Sequence, residues 1–162
     1  MRGVLILGID PGLNRCGWGL VASEGSRLAH VAHGVITPER EQQLASRLHD
    51  IFEQLCAVID AHRPHEAAVE ETFVNSNARA ALVLGQARGV ALAAAARSGV
   101  LVAEYAPAAI KKAVVGAGRA DKTQVAFMVR RLLPTAGEVC ADAADALGVA
   151  VCHAGFRRRP AR

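Results

Sequence analysis

Four carboxylates stand where ordinary surface chemistry does not explain them. Asp10 ends the unbroken apolar run Val4-Leu-Ile-Leu-Gly-Ile9, and Glu70 ends a second run, Ala67-Ala-Val69. Asp142 and Asp145 sit among Ala141, Ala143, Ala144 and Ala146, and a spacing of three puts both on one helical face. Carboxylates gathered in one cleft repel, and a charge buried without a partner is costly. A cation is therefore expected among them, and a divalent metal would serve. Four carboxylates with no clustered His or Cys are hard oxygen ligands, which favours Mg²⁺ or Mn²⁺ over zinc. Two such ions about 4 Å apart can activate a water and stabilise the leaving oxygen of a phosphodiester. Asp142 taken alone could instead cap its helix or answer the helix dipole. Asp145, deeper in the helix, fits that role less well.

Competing chemistries find little support. The sequence has no G-x-S-x-G, no G-x-x-x-x-G-K-[ST] and no Cys/His metal box. Gly8, Gly12, Gly17 and Gly19 do not match a dinucleotide fingerprint followed by a helix; a strand is expected there instead. Cys16, Cys56, Cys140 and Cys152 are scattered, with no C-x-x-C, and read as buried reduced thiols. His62 and His65 read as surface residues at a helix end. His30, His33, His49 and His153 show no metal-ligand spacing.

The formal charge of +4 needs dissection. Arg157, Arg158, Arg159 and Arg162 supply four positive charges at one end, so the remaining charges balance. The body is nevertheless uneven. Between Ala106 and Pro134, Lys111, Lys112, Arg119, Lys122, Arg130 and Arg131 face only Asp121, a local +5. A basic segment beside acidic candidates suits a polyanionic substrate.

The elements that must position these groups follow from periodicity. The apolar run before Asp10 reads as a central strand buried on both faces, and Asp10-Pro11-Gly12 as a turn. Residues 16–22 and 27–36 read as two further strands joined by Ser23-Glu24-Gly25-Ser26, giving an antiparallel meander. Thr37-Pro38-Glu39 is a helix-start signal. Leu44, Leu48, Ile51, Leu55 and Val58 then continue one apolar face to about Ala61, and His62-Arg63-Pro64 ends it. Residues 67–71 form a short strand reached by crossover, hence parallel to the first. If the two are adjacent, Asp10 and Glu70 meet at the C-terminal edge of the sheet, where ligand sites in open α/β sheets gather. Asn75 or Ser76 is expected to cap a second helix running to about Ser98, with Leu82, Leu84, Ala87, Val90, Ala91 and Ala94 as its packing face. A fifth strand is expected at residues 100–105. Helices are expected near 107–115, 121–133 and 138–153, with Gly155 closing the last. The whole predicts a mixed α/β sheet covered on both faces. Residues 1–155 make one domain, and 156–162 an Arg-rich, disordered tail. No stretch is apolar and long enough for a membrane span or a signal-peptide core, so a cytoplasmic location without membrane association is expected.

Four motifs, in order and over residues 5–152, resemble one family. They are Gly8-Ile9-Asp10-Pro11-Gly12, Glu70-Glu71-Thr72-Phe73, Leu84-Gly85-Gln86-Ala87-Arg88-Gly89 and Asp142-Ala-Ala-Asp145-Ala-Leu147. The chain resembles the RuvC family of bacterial Holliday-junction resolvases. That resemblance implies an RNase H-like fold: three antiparallel strands, then two parallel ones, with helices on both faces. It also implies a homodimer with two active sites, each nicking one strand of a four-way DNA junction. Asp10, Glu70, Asp142 and Asp145 take catalytic, metal-binding roles around one or two Mg²⁺ or Mn²⁺ ions, and Asp142 is a position that is not always acidic in similar proteins. Gly85 and Gly89 would lie at or near the dimer interface. Phe73 falls where an aromatic contacts junction bases. Lys111 and Lys122 fall where lysines contact DNA, and Arg79, Lys112 and Arg119 are further candidates. The RuvA–RuvB branch-migration complex is the implied partner.

Other readings are an RNase H-like activity such as RNA–DNA hybrid cleavage or transposition, an actin-like ATP-binding protein, and a non-catalytic junction scaffold. The chain is too short for the two lobes of an actin-like protein, and retention of four acids argues against a scaffold.

Overall fold

Strand β1 (Val4–Asp10) is apolar on both faces and takes the centre of a five-stranded sheet. In the computed structural model, which describes residues 3–71 and 76–157, β1 pairs antiparallel with β2 (Cys16–Glu24), and β2 pairs antiparallel with β3 (Arg27–Ile36). On its other side β1 pairs parallel with β4 (Glu66–Glu70), and β4 with β5 (Leu101–Tyr105). The order β3-β2-β1-β4-β5 and its mix of directions agree with the expected mixed sheet.

Period-two alternation divides β1 between two cores. Leu7 and Ile9 face helices α1 (Leu44–His62) and α2 (Ala78–Arg97), where Ile51, Leu55, Ile59, Ala91 and Ala94 are buried. Ile6 belongs to the opposite face, with Leu147, Val149, Val125 and Val129 from α5 (Ala141–Phe156) and α4 (Lys122–Leu132); α3 (Pro107–Val115) closes that layer. A 3₁₀ turn, Pro134–Ala136, links α4 to α5.

Helix α5 lies unusually close to the sheet. A Cβ on Gly8 would stand 2.1 Å from the Ala146 carbonyl oxygen, and one on Gly17 2.1 Å from that of Asp142. Glycine on the strands and alanine on the helix together allow this approach.

The far end of α5 is tied down by a polar clamp. Glu66 accepts from Arg157 Nε and Nη2, both at 2.9 Å, and pairs with His153 Nε2 at 2.7 Å. The Tyr105 hydroxyl lies 2.8 Å from His153 Nδ1, and the Phe156 ring stacks on Tyr105. A neutral His153 that donates from Nε2 to the carboxylate can accept the hydroxyl at Nδ1. The Arg157 guanidinium is the main reason that the Glu66 carboxyl lies below its ordinary pKa.

Several boundaries differ from the sequence expectation. Helix α1 begins at Leu44, not at Thr37-Pro38-Glu39, because Pro38 is buried and packing holds that stretch outside the helix. The cap of α2 is Asn77, whose side chain accepts from Ala80 N at 3.1 Å, rather than Asn75 or Ser76. Helix α5 starts at Ala141 and runs through Gly155 to Phe156, so Asp142 lies in the first turn and is not the cap. Arg157, expected in a disordered tail, is part of the clamp; residues 158–162 lie outside those described. Leu82, expected on the packing face of α2, is 65% exposed. Cys16, Cys56 and Cys152 are buried as free thiols, whereas Cys140 is exposed. Among the described residues no helix is long and apolar enough to cross a membrane.

Candidate active site

Parallel pairing of β1 with β4 aligns Ile9 with Val69, so the next residues, Asp10 and Glu70, leave the sheet side by side. Asp145 reaches the same place from α5, which the strand glycines admit to the sheet. Lys111 of α3 and Lys122, the first residue of α4, come from the flanking helices. These five charged side chains, with Pro107, Ile110 and Val125, line one open cleft of about 210 Å³.

The charges within it are unbalanced. The Asp10 carboxyl is pushed far above its ordinary pKa, first by burial, then by its hydrogen bond with Glu70 and the charges of Glu70 and Asp145. Burial also raises Glu70 and Asp145. Lys122 Nζ stands 3.7 Å from Asp145 Oδ2 and opposes the rise there. Asp10 and Glu70 titrate as a pair that retains a proton more readily than an isolated carboxylate does.

Asp142 is placed differently. It lies outside the cleft lining, and its Oδ2 accepts from Arg15 Nε at 2.5 Å. Arg15 belongs to the loop after β1, which α1 pins: Arg47 Nη2 donates to the Leu13 carbonyl at 3.2 Å and to Asn14 Oδ1 at 2.7 Å. Among the described residues no three His, Cys, Asp or Glu side chains stand together in metal-ligating geometry. Asp10 and Glu70 bond each other, Asp145 turns to Lys122, and Asp142 turns to Arg15. The donor set is nonetheless the hard-oxygen set a divalent cation prefers, and the high proton affinity of Asp10 marks where positive charge is lacking.

Of the sequence candidates, Asp10, Glu70, Asp145, Lys111 and Lys122 share the cleft. Arg79, Lys112 and Arg119 are exposed and outside its lining, and Phe73 lies outside the described residues. Ile110 and Val125 were not singled out as lining groups, although apolar periodicity in α3 and α4 could have marked them. Arg15 and Arg47 carried no signal, because their partners are remote in sequence.

A mixed β3-β2-β1-β4-β5 sheet with acids at the C-terminal ends of its central strands defines an RNase H-like nuclease. Residues 6–153 match the family described as Crossover junction endodeoxyribonuclease RuvC. The RuvC of Caulobacter sp. strain K31 is 62% identical over 154 residues, covering 95% of this chain and 91% of the relative. That of Caulobacter vibrioides is 60% identical over 152 residues, covering 94% and 90%. The structure of Thermus thermophilus RuvC in complex with a Holliday junction substrate superposes with a TM-score of 0.86, at 34% identity and 93% coverage of both chains. The chain belongs to the RuvC family of crossover junction endodeoxyribonucleases.

Proposed function

We propose that this chain resolves four-way DNA junctions by nicking two symmetry-related strands through metal-dependent hydrolysis. The observation that carries the reading is the convergence of Asp10, Glu70 and Asp145 with Lys111 and Lys122 in one open cleft at the C-terminal ends of adjacent parallel strands. Asp10, Glu70 and Asp145, joined by Asp142, would hold one or two divalent ions, Mg²⁺ or Mn²⁺ by the hardness of the donors. Ions of this kind, when bound, supply an activated water and stabilise the leaving oxygen. Burial and the neighbouring acids raise the proton affinity of Asp10, and both Asp10 and Glu70 would have to be deprotonated to hold a metal ion. Lys111 and Lys122, which line the same cleft, would stabilise the charge that develops on a scissile phosphate.

Arg79, Lys112 and Arg119, all exposed, are assigned to flanking phosphates, and Phe73 to junction bases. The outer face of α2 is assigned to a homodimer contact. Gly85 and Gly89 face open space there, and Leu82 is exposed. A two-fold dimer presenting two clefts suits a roughly two-fold junction. A cytoplasmic location and docking to the RuvA–RuvB complex complete the reading.

The test is a mobile four-way junction incubated with protein and Mg²⁺ or Mn²⁺, beside linear duplex and RNA–DNA hybrid. Symmetric nicks in the junction, absent from Asp10→Asn, are the expected result. Preferential cutting of the hybrid, or nicking that survives Asp10→Asn, overturns the reading.

A further inference from the structure

Asp142 is the one acidic candidate that does not line the cleft. Its neighbour on the same helical face, Asp145, lines the cleft, while Asp142 lies outside that lining and is paired with Arg15. Three features make this pairing more than a chance surface contact. The loop carrying Arg15 is pinned from the opposite face of the sheet by Arg47, through the Leu13 carbonyl and Asn14. That loop is tight: a Cβ on Gly12 would meet the Arg15 carbonyl oxygen at 2.5 Å. Asp142 is fixed in its turn, because α5 seats its first turn against Gly17 with no room to slide inward.

We infer that Arg15 is a positioning residue that latches Asp142 away from the acidic cleft until a divalent cation exchanges for its guanidinium. This rests on the metal-binding role proposed above for the four acids. Both partners of the pair are partly solvated, at 48% and 32% side-chain exposure, so the pair is weak enough for a divalent ion to displace. It therefore sets the metal concentration at which the fourth carboxylate joins, rather than blocking it. Arg47 holds the latch in register without touching the acids.

The experiment is calorimetric titration of the DNA-free protein with Mn²⁺. Arg15→Gln is expected to bind Mn²⁺ about twofold to fivefold more tightly than wild type. Arg15→Lys, which keeps a cation there, is expected to stay near wild type. The gain from Arg15→Gln should vanish in an Asp142→Asn background, because there the latch has nothing to hold. A gain of the same size in that background means that only a remote positive charge was removed, and overturns the latch. Equal, measurable affinities of wild type and Arg15→Gln overturn the latch and leave the metal site standing. Failure of both proteins to bind Mn²⁺ at millimolar concentration overturns the latch and the metal site together.

Discussion

Replacing Gly8 with alanine should damage stability and cutting through one displacement. The added methyl would stand 2.1 Å from the Ala146 carbonyl oxygen and 2.6 Å from the Ala150 nitrogen. Ordinary contact begins at 3.4 Å, so relief requires a movement of about 1.3 Å. Both obstacles are helix backbone, so no change of rotamer provides it. Either α5 lifts from β1 or the strand bows, and overpacking of this kind costs about 1–3 kcal/mol. A domain of this size loses roughly 2–4 °C in Tm per kcal/mol. Asp145 immediately precedes Ala146 and moves with it. A misplacement of about 1 Å at a reacting centre can cost on the order of 10²-fold in rate. Urea unfolding measures the first effect, and single-turnover nicking of a saturating junction measures the second. Junction binding should change little on the proposed assignment of phosphate contacts to Arg79, Lys112 and Arg119, none of which lies on β1 or α5. An unchanged urea midpoint would refute the close seat of α5. A destabilised protein that nicks at the wild-type rate would refute the claim that this seat positions Asp145.

Asp10→Asn should raise the Tm of the metal-free protein at pH 8 even as it abolishes nicking. The folded pKa of Asp10 lies above its unfolded value, so the unfolded chain loses its proton first as pH rises. Wild-type stability should therefore fall as pH climbs from about 4 towards the raised folded pKa, and the variant should show a shallower slope in a pH series of melts, since Glu70 and Asp145 remain raised. Glu66→Gln should cost about 1–2 kcal/mol at pH 7 by urea unfolding, discounted for the part of the clamp that solvent reaches. Glu66 has a depressed folded pKa, so its contribution is present above its unfolded pKa and is lost as pH falls through the folded one; a variant with wild-type acid sensitivity would count against the clamp. Gly85→Leu should shift sedimentation towards monomer at micromolar protein without lowering Tm by more than a few degrees, since the residue faces open space. A variant that sediments as wild type would remove α2 from the interface.

How much of this was legible beforehand depends on whether the signal was local. The order of elements, the central place of β1, the crossover to β4, and Asp10 and Glu70 at strand ends all follow from short-range periodicity. A short apolar run closed by Asp10-Pro11-Gly12 fits a strand buried on both faces, and an acid that ends such a strand falls at the sheet edge. Helix limits were less secure. Thr37-Pro38 and Asn75 carry the right start chemistry, but burial of Pro38 and the docking of α2 selected Leu44 and Asn77 instead. The partners of the site were not local at all. Arg15 and Asp142 are 127 positions apart, and Glu66 and Arg157 are 91 apart. No spacing rule joins such pairs; they meet only once the strand order is set and α5 has settled onto the glycines. The sequence by itself determined which acids end the central strands and which helix brings the others. The tertiary structure alone decided that Asp145 enters the cleft while Asp142, one turn away, is held outside it, because that choice depends on a guanidinium delivered by a loop from the other end of the chain.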